Sequence, residues 1–370
     1  MLPKWIQDRK ENAKQVYSSM PRPSHKYGIA ITLDAGKFNP DGADPSAQSE
    51  KMEIKTDAQI LSFSEAFEKF PEVLQSSLRS ALLSDDKLSA FHAGNWRRGI
   101  VLYAPEGKQC TAELALPLSS TQADSIMVIA DKHSTMNIIQ RDSSSSRTYR
   151  SLSVDIAALD NSKVNYSYIQ MLSADSSSVM NRSAHLSNDS EVSWYDAFLS
   201  SSATRCETLS SLIGDGSSSR HVSVLSSTGN QQTDILSKNV HVGRSTYSDI
   251  FTKGIVDDSA VSLMRGNITI EPSAFGSNGY QKEDVLILSK SAKANAIPEL
   301  EIRNHDVKCS HGATIGQVDP SQLFYLCSRG ITKEEATSLI VSGFLEAAVS
   351  RFPSGLQEEL RLLIGEKNGY

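Results

Sequence analysis

The sequence predicts a mainly β protein in which a long central β region lies between two helical regions. From residue 91 to residue 316, apolar and polar residues alternate in short runs, as in strands whose successive side chains point to opposite faces. Glycine, serine, asparagine and aspartate separate these runs, as is typical of turns. Both ends of the chain instead have apolar residues spaced three and four apart, the spacing of amphipathic helices.

The N-terminal region, residues 1–90, is predicted to be helical. Apolar residues stand among charged ones in residues 1–19, and they recur at spacings of three and four in residues 62–83. Because proline interrupts the hydrogen bonding of a helix, we expect Pro71 to divide the second stretch into two helices.

The central region, residues 91–316, fits two β architectures. Many short strands without intervening helices are typical of a sandwich or barrel, or of a β-solenoid whose turns stack around a narrow core. Serine accounts for 59 of the 370 residues, and aromatic residues for 7%. A narrow core admits few large side chains, so these numbers favour the solenoid, with serine expected on its outer faces.

The C-terminal region, residues 317–370, is predicted to contain three helices. Asp319 can cap the first helix, with Pro320 at its first position. Thr332 and Glu335 have the spacing of a capping box at the start of the second helix. The predicted order is therefore helices, a long β region, and helices.

Charge and missing motifs exclude several classes of function. The net charge of −6 argues against a nucleic-acid-binding protein, which usually carries a basic surplus. The phosphate-loop motif GxxxxGK[ST], the hydrolase motif GxSxG and the zinc-protease motif HExxH do not occur. We therefore expect neither ATP hydrolysis nor these hydrolytic reactions from this chain.

The expected location is cytoplasmic. The first residues carry charges and lack the apolar core of a secretory signal, and no apolar stretch approaches the ~20 residues of a membrane-spanning helix. The four cysteines, Cys110, Cys206, Cys309 and Cys327, are far apart and form no CxxC pair. This distribution fits a reducing compartment and argues against a structural zinc module.

Cys309 and His311 are the residues best suited to chemistry. They are two positions apart, so on a strand their side chains project from the same face. A thiolate beside an imidazole can bind iron or copper, or act as a nucleophile and its base. The spacing also fits two residues with a purely structural role, and two ligands are too few for a closed metal site.

A corner between two predicted helices contains Tyr325, Arg329 and Gly330. This corner fits helix packing and capping, or a surface on which a partner docks.

The same part of the chain resembles a known family. The run DVKCSHGATIGQVDPSQLFYLCSRGITKEEATSLIVSGF, residues 306–344, resembles the C-terminal signature of the SufB/SufD family of the SUF iron–sulfur cluster assembly system. Upstream, SDIFTKGIV at residues 248–256 and GIVLYAPEGK at residues 99–108 resemble segments of the family's β core.

This resemblance implies a right-handed parallel β-helix and a non-enzymatic assembly scaffold. The chain would pair with a SufB-type paralogue through its last strands, with Cys309 and His311 at the interface where a transient iron–sulfur cluster forms. A SufC-type ABC ATPase would dock on the C-terminal helical region and would supply the nucleotide chemistry, so this chain would bind no nucleotide. The docking residues implied by the resemblance are Tyr325, Arg329, Gly330, Ile331 and Phe344.

Two differences within the family favour the SufD type over the SufB type. SufB-type chains resemble this one but carry a cysteine where Lys282 stands here, and they have an HEA variant of the SHGAT motif. Three alternatives remain open: a single B/D-type subunit that forms a homodimer, an adaptor that recruits the ATPase without binding iron, and a polysaccharide-active β-helix enzyme.

Overall fold

The computed structural model describes residues 2–21, 25–27, 31–38, 40, 52–118 and 121–368. The helices are α1 (Lys4–Ser19), α2 (Phe63–Lys69), α3 (Pro71–Ser77), α4 (Lys87–Asn95), α5 (Pro320–Ser328), α6 (Lys333–Val349) and α7 (Ser354–Asn368). Four short strands precede the central region: β1 (His25–Tyr27), β2 (Ile31–Leu33), β3 (Glu53–Thr56) and β4 (Gln59–Leu61). Among the described residues, no helix combines the length and apolar character that crossing a membrane requires.

Sixteen further strands form the central region. They are β5 (Arg98–Ala104), β6 (Gln109–Leu118), β7 (Gln122–Ala130), β8 (Thr135–Ser144), β9 (Tyr149–Ala158), β10 (Lys163–Met171), β11 (Ser177–Leu186), β12 (Glu191–Ser200), β13 (Ala203–Leu212), β14 (Ser218–Ser227), β15 (Gln232–His241), β16 (Tyr247–Val256), β17 (Val261–Ile270), β18 (Asn278–Ile287), β19 (Lys293–Ile302) and β20 (Lys308–Gln317).

These strands coil into a β-solenoid of about eight turns, which confirms the predicted fold class. Each turn contributes one strand to each of two sheets. Sheet 1 contains the even-numbered strands β6 to β20, and sheet 2 contains the odd-numbered strands β5 to β19. Within each sheet the solenoid strands are parallel.

The length of a turn varies along the solenoid. The side chain of Asn165 donates a hydrogen bond to that of Asn137 on the preceding turn, 28 positions earlier. Near the other end, Asn304 bonds the carbonyl oxygen of Pro272, 32 positions earlier. Because the corners between strands differ in length, the stacked turns leave no fixed period in the sequence.

The space between the two sheets, the lumen, holds the largest apolar cluster. Val164, Tyr166 and Tyr168 of β10 all point into it and are fully buried, as their alternation predicts. The lumen also contains paired charges: Arg182 donates two hydrogen bonds to Asp196, at 2.7 and 2.6 Å. Pairing is essential there, because a lone charge away from water is costly.

The expectation that serine lies on the outer faces is wrong for many serines. Ser178, Ser210 and Ser248 face the lumen and are fully buried. Their hydroxyl groups have partners there: Ser178 donates to Gln170 at 2.7 Å, and Ser210 accepts from Trp194 at 3.1 Å. Since serine is small and can both donate and accept, it fits a narrow interior as well as an exposed face.

The N-terminal region covers the first turn of the solenoid and the outer face of sheet 2. Apolar residues of α2 and α3 pack on Met127, Ile129 and other residues of that face. The prediction that Pro71 separates two helices is confirmed, since α2 ends before it and α3 begins at it. This region also includes β3 and β4, which are too short to leave an alternating pattern, and α4 continues past residue 90 to Asn95.

The C-terminal helices follow the last strand. The side chain of Asp319 caps α5, and Thr332 and Glu335 form the predicted capping box of α6. Helices α6 and α7 bury Leu345 and Leu360 against the outer face of sheet 1. The last helix, α7, is 15 residues long, so the three predicted helices are present.

Candidate functional site

The two ends of the solenoid differ in how their edges are covered. At the first turn, β3 and β4 add one antiparallel strand to each sheet. At the last turn, β19 and β20 are ten-residue strands that pair on one side only within the described structure. We call this uncovered end, formed by β19 and β20, the open end. A long unpaired edge presents backbone N–H and C=O groups to another chain.

Cys309 and His311 lie on β20 at the open end. Cys309 is paired in register with Gly279 of β18, and His311 with Gln281. Because Gly279 and Gln281 are buried on the lumen side, Cys309 and His311 line the mouth of the lumen. The structure therefore brings these two predicted site residues to one face.

The thiol of Cys309 is half-buried beside apolar residues. It packs against the cluster of Ile250, Ile268, Ile270 and Ala274. A Cβ atom on Gly279 would lie 3.2 Å from the Cys309 sulfur and 3.0 Å from Ile268. A larger residue at position 279 would crowd the thiol.

Burial raises the pKa of the Cys309 thiol, and a backbone hydrogen bond at Ser310 only partly opposes this effect. The thiol is therefore stable in its protonated form until a cation favours the thiolate. Within the described residues, no three His, Cys, Asp or Glu side chains are placed to hold a metal ion together. Among the described residues, Cys309 and His311 therefore have no third side chain of these types placed to bind a metal ion with them.

Lys282 lies on the outer face of sheet 1, away from the lumen. Its ammonium group is 3.5 Å from Asp284, which also pairs with Lys253 at 2.7 Å. The structure therefore does not bring Lys282 together with the lumen-facing side chains of Cys309 and His311.

Sequence reasoning missed two polar residues on either side of Lys282. Gln281 and Glu283 point into the lumen and are buried, with 0% and 1% exposure. The alternation that places apolar residues inside the solenoid applies equally to them, so the signal was present in the sequence.

Helix α5 has no buried residue and exposes aromatic side chains next to α6. Phe324 is 75% exposed and Tyr325 57%. The guanidinium group of Arg329 lies 5.2 Å from the centre of the Tyr325 ring. Gly330 has a φ of +89°, which suits glycine at the end of a helix, and it is followed by the half-buried Ile331.

Beside α5, a groove of about 380 Å³ separates α6 from the end of the solenoid. Leu286 lies on its solenoid side, and Leu339 and Phe344 lie on its α6 side. The Lys253 ammonium group stands 4.2 Å from the Phe344 ring centre. The corner residues and Phe344 are thus parts of two neighbouring surfaces on the C-terminal helices.

None of the other three cysteines lies on β19 or β20. Cys110 and Cys206 are buried in the lumen, and burial raises the pKa of the Cys206 thiol to about 11. Cys327 is half-buried on α5. All four cysteines are free thiols.

Comparison with known proteins identifies relatives over most of the chain. Residues 114–344 match the family described as SUF system FeS cluster assembly, SufBD core domain. The iron–sulfur cluster assembly protein SufD of Bacillus subtilis is 31% identical over 77% of this chain and 68% of its own length. A SufBD family protein of Synechocystis is 26% identical over 83% of this chain and 67% of its own length. One from Porphyra purpurea is 27% identical over 83% of this chain and 66% of its own length.

Proposed function

Since the chain belongs to the SufBD core family of the SUF iron–sulfur cluster assembly system, we propose that it is an assembly scaffold and not an enzyme. The observation that carries this proposal is the pair Cys309 and His311 on an uncovered edge strand. Thiolate and imidazole are ligands that iron accepts, and both side chains line the mouth of the lumen. Iron and sulfide are the cargo that this site would receive.

A second subunit would complete the ligand set. The unpaired edges of β19 and β20 suit a partner that continues both sheets, because edge strands bind strands of another chain through their backbone groups. Ile302 and Ile315 are each 42% exposed at this end, and a partner would cover them. The partner that we propose is a SufB-type paralogue; in a minimal system a second copy of this chain would take its place.

The proposed ATPase dock is the exposed surface of α5 together with the α6 groove. Phe324 and Tyr325 offer aromatic side chains of the kind that dominate protein interfaces. The sequence contains no phosphate-loop motif, so the nucleotide would be bound by the partner. We propose a SufC-type ABC ATPase, which would contact Tyr325, Arg329, Gly330, Ile331 and Phe344.

Anaerobic reconstitution with iron and sulfide tests the scaffold function. The full chain, mixed with its SufB-type and SufC-type partners, is expected to develop the visible absorption of an iron–sulfur cluster. The double variant Cys309→Ser/His311→Ala should lose most of this absorption, because the edge strand then has neither ligand. Cys110→Ser, at the covered end of the lumen, is the matched control and should keep it. An unchanged yield from the double variant would refute the site.

A further inference from the structure

Glu283 is a carboxylate enclosed in the lumen one strand inward from β20. It is 1% exposed, and its Oε2 atom accepts no hydrogen bond from the described residues. Burial alone raises its pKa, to about 7, and the described chain contributes no cation against it. Folded proteins seldom leave a buried carboxyl group without a partner, since desolvating it is costly. A buried carboxyl group of this kind favours a ligand, and the described residues do not supply one.

Gln281 directs a second oxygen atom to the same place. Its Nε2 atom donates a hydrogen bond across the lumen to the carbonyl oxygen of Glu299, at 3.1 Å. A carbonyl oxygen can only accept, so this contact fixes which end of the amide is the oxygen. The Oε1 atom is buried and has no partner within the described structure.

Gly266 of β17 makes room for this Gln281 oxygen and for Oε1, the other carboxylate oxygen of Glu283. A Cβ atom at this position would collide with Oε1 of Gln281 and would lie 2.5 Å from Oε1 of Glu283. The amide and the carboxyl group therefore converge over the same glycine backbone. Two acceptors that face one space are satisfied by a cation or a shared proton.

We propose that Gln281 and Glu283 bind a divalent first-row metal cation, of the Fe²⁺ class, inside the lumen. Carboxylate and carbonyl oxygens suit Mn²⁺, iron accepts carboxylate ligands in di-iron carboxylate proteins, and water completes the coordination. Because Gln281 pairs in register with His311, the bound cation lies one strand inward from the mouth of the lumen. Two protein ligands make an open site from which the ion can leave. The site stands on its own geometry; only its role, holding iron beside Cys309 and His311, rests on the proposed function.

Manganese binding tests this site without cluster chemistry. The full-length metal-free chain is titrated with Mn²⁺, and the free ion is followed by electron paramagnetic resonance. Glu283→Gln keeps the shape of the side chain and removes its charge. It should weaken Mn²⁺ binding at least about tenfold, because even the loss of a residue that only supports a metal ligand weakens metal binding by about that factor. The control Glu301→Gln changes a 46% exposed residue on neighbouring β19 and should bind as the wild type does.

Two further measurements separate the possible outcomes. Mn²⁺ should raise the melting temperature of the wild type but not of Glu283→Gln, which also shows that the variant folds. Cys309→Ser/His311→Ala should keep Mn²⁺ binding, even though it is expected to lose most of the cluster absorption. If that double variant loses Mn²⁺ and Glu283→Gln keeps it, the inner site is wrong while the scaffold proposal stands. If the wild type binds no Mn²⁺, the two oxygens share only a proton and the inner site is refuted.

Discussion

Burial in the lumen fixes the protonation state of individual histidines. His241 is fully buried, and its two ring nitrogens lie 2.7 Å from the hydroxyl oxygens of Thr246 and Ser248. Desolvation lowers the pKa of His241 to about 4, and that of the buried His221 to about 3. Both rings are therefore neutral in the folded protein at neutral pH and serve as hydrogen-bonding core residues.

The lowered pKa of His241 predicts a pH dependence of stability. Between pH 6.5 and about 4, the unfolded chain binds a proton at residue 241 that the folded chain does not, so acid favours unfolding. The variant His241→Gln lacks this contribution. From pH 6 to pH 5 the free energy of unfolding of the wild type should therefore fall more than that of the variant, by up to about 1.4 kcal/mol. Urea denaturation at each pH measures this; equal slopes would contradict a buried neutral ring.

Local patterns predicted the type of many long elements but not the contacts between elements. The alternation of apolar and polar residues predicted that Tyr166 and Tyr168 face inward, and the Thr332–Glu335 spacing predicted where α6 begins. Which strands pair depends instead on corners of different length. The ring contact of Tyr166 with Trp194, for example, follows from the pairing of β10 with β12 and from no local signal. The resemblance to a known family, rather than spacing alone, distinguished the solenoid from a sandwich.

For the candidate site, too, the sequence predicted local features but not the contacts between elements. Cys309 and His311 share a face because β20 is a strand, which their spacing already implied. Their place at an uncovered edge could not be read from spacing, because it depends on the absence of a strand beside β20 in the described sheet. The convergence of Glu283 with Gln281 was equally hidden, since it depends on a glycine from β17 of the other sheet.

Helix α5 is distinct from α6 and α7 because it contributes nothing to the buried core. Within the described structure its helix contacts are with α6, and none of its residues is buried. Removing an exposed side chain from such a helix changes folding stability little, whereas removing an aromatic side chain from an interface weakens binding.

Phe324→Ala is therefore expected to separate docking from folding. The free energy of unfolding should change by less than about 0.5 kcal/mol, as for surface substitutions in general. Affinity for the SufC-type ATPase, measured by calorimetry, should fall at least about tenfold if Phe324 is an interface anchor. Leu362→Ala, at a 60% exposed position on α7, is the control and should bind normally. If Phe324→Ala binds the ATPase normally, the ATPase does not dock on α5.

At the scale of the whole molecule, the two ends of the solenoid differ: one end is covered and the other is open. The covered end uses β3 and β4, strands of four and three residues, whereas β19 and β20 are ten residues long. Sheets usually protect long edges with charges, bulges or covering elements. Ile302 and Ile315 leave exposed apolar surface on the long edges, which supports the proposal that a partner covers the open end.

Charge at the open end should therefore prevent assembly without unfolding the chain. In Ile302→Lys/Ile315→Lys, two ammonium groups would have to be buried when a partner continues the sheets, and desolvating them opposes association. Sedimentation with the SufB-type partner should show at least about tenfold weaker association, which corresponds to a loss of about 1.4 kcal/mol of binding free energy. Ile60→Lys makes the same change at a 49% exposed position on β4 of the covered end and should assemble normally. If Ile60→Lys disrupts the complex and the double variant does not, the partner binds the covered end, and Cys309 and His311 lie outside the interface.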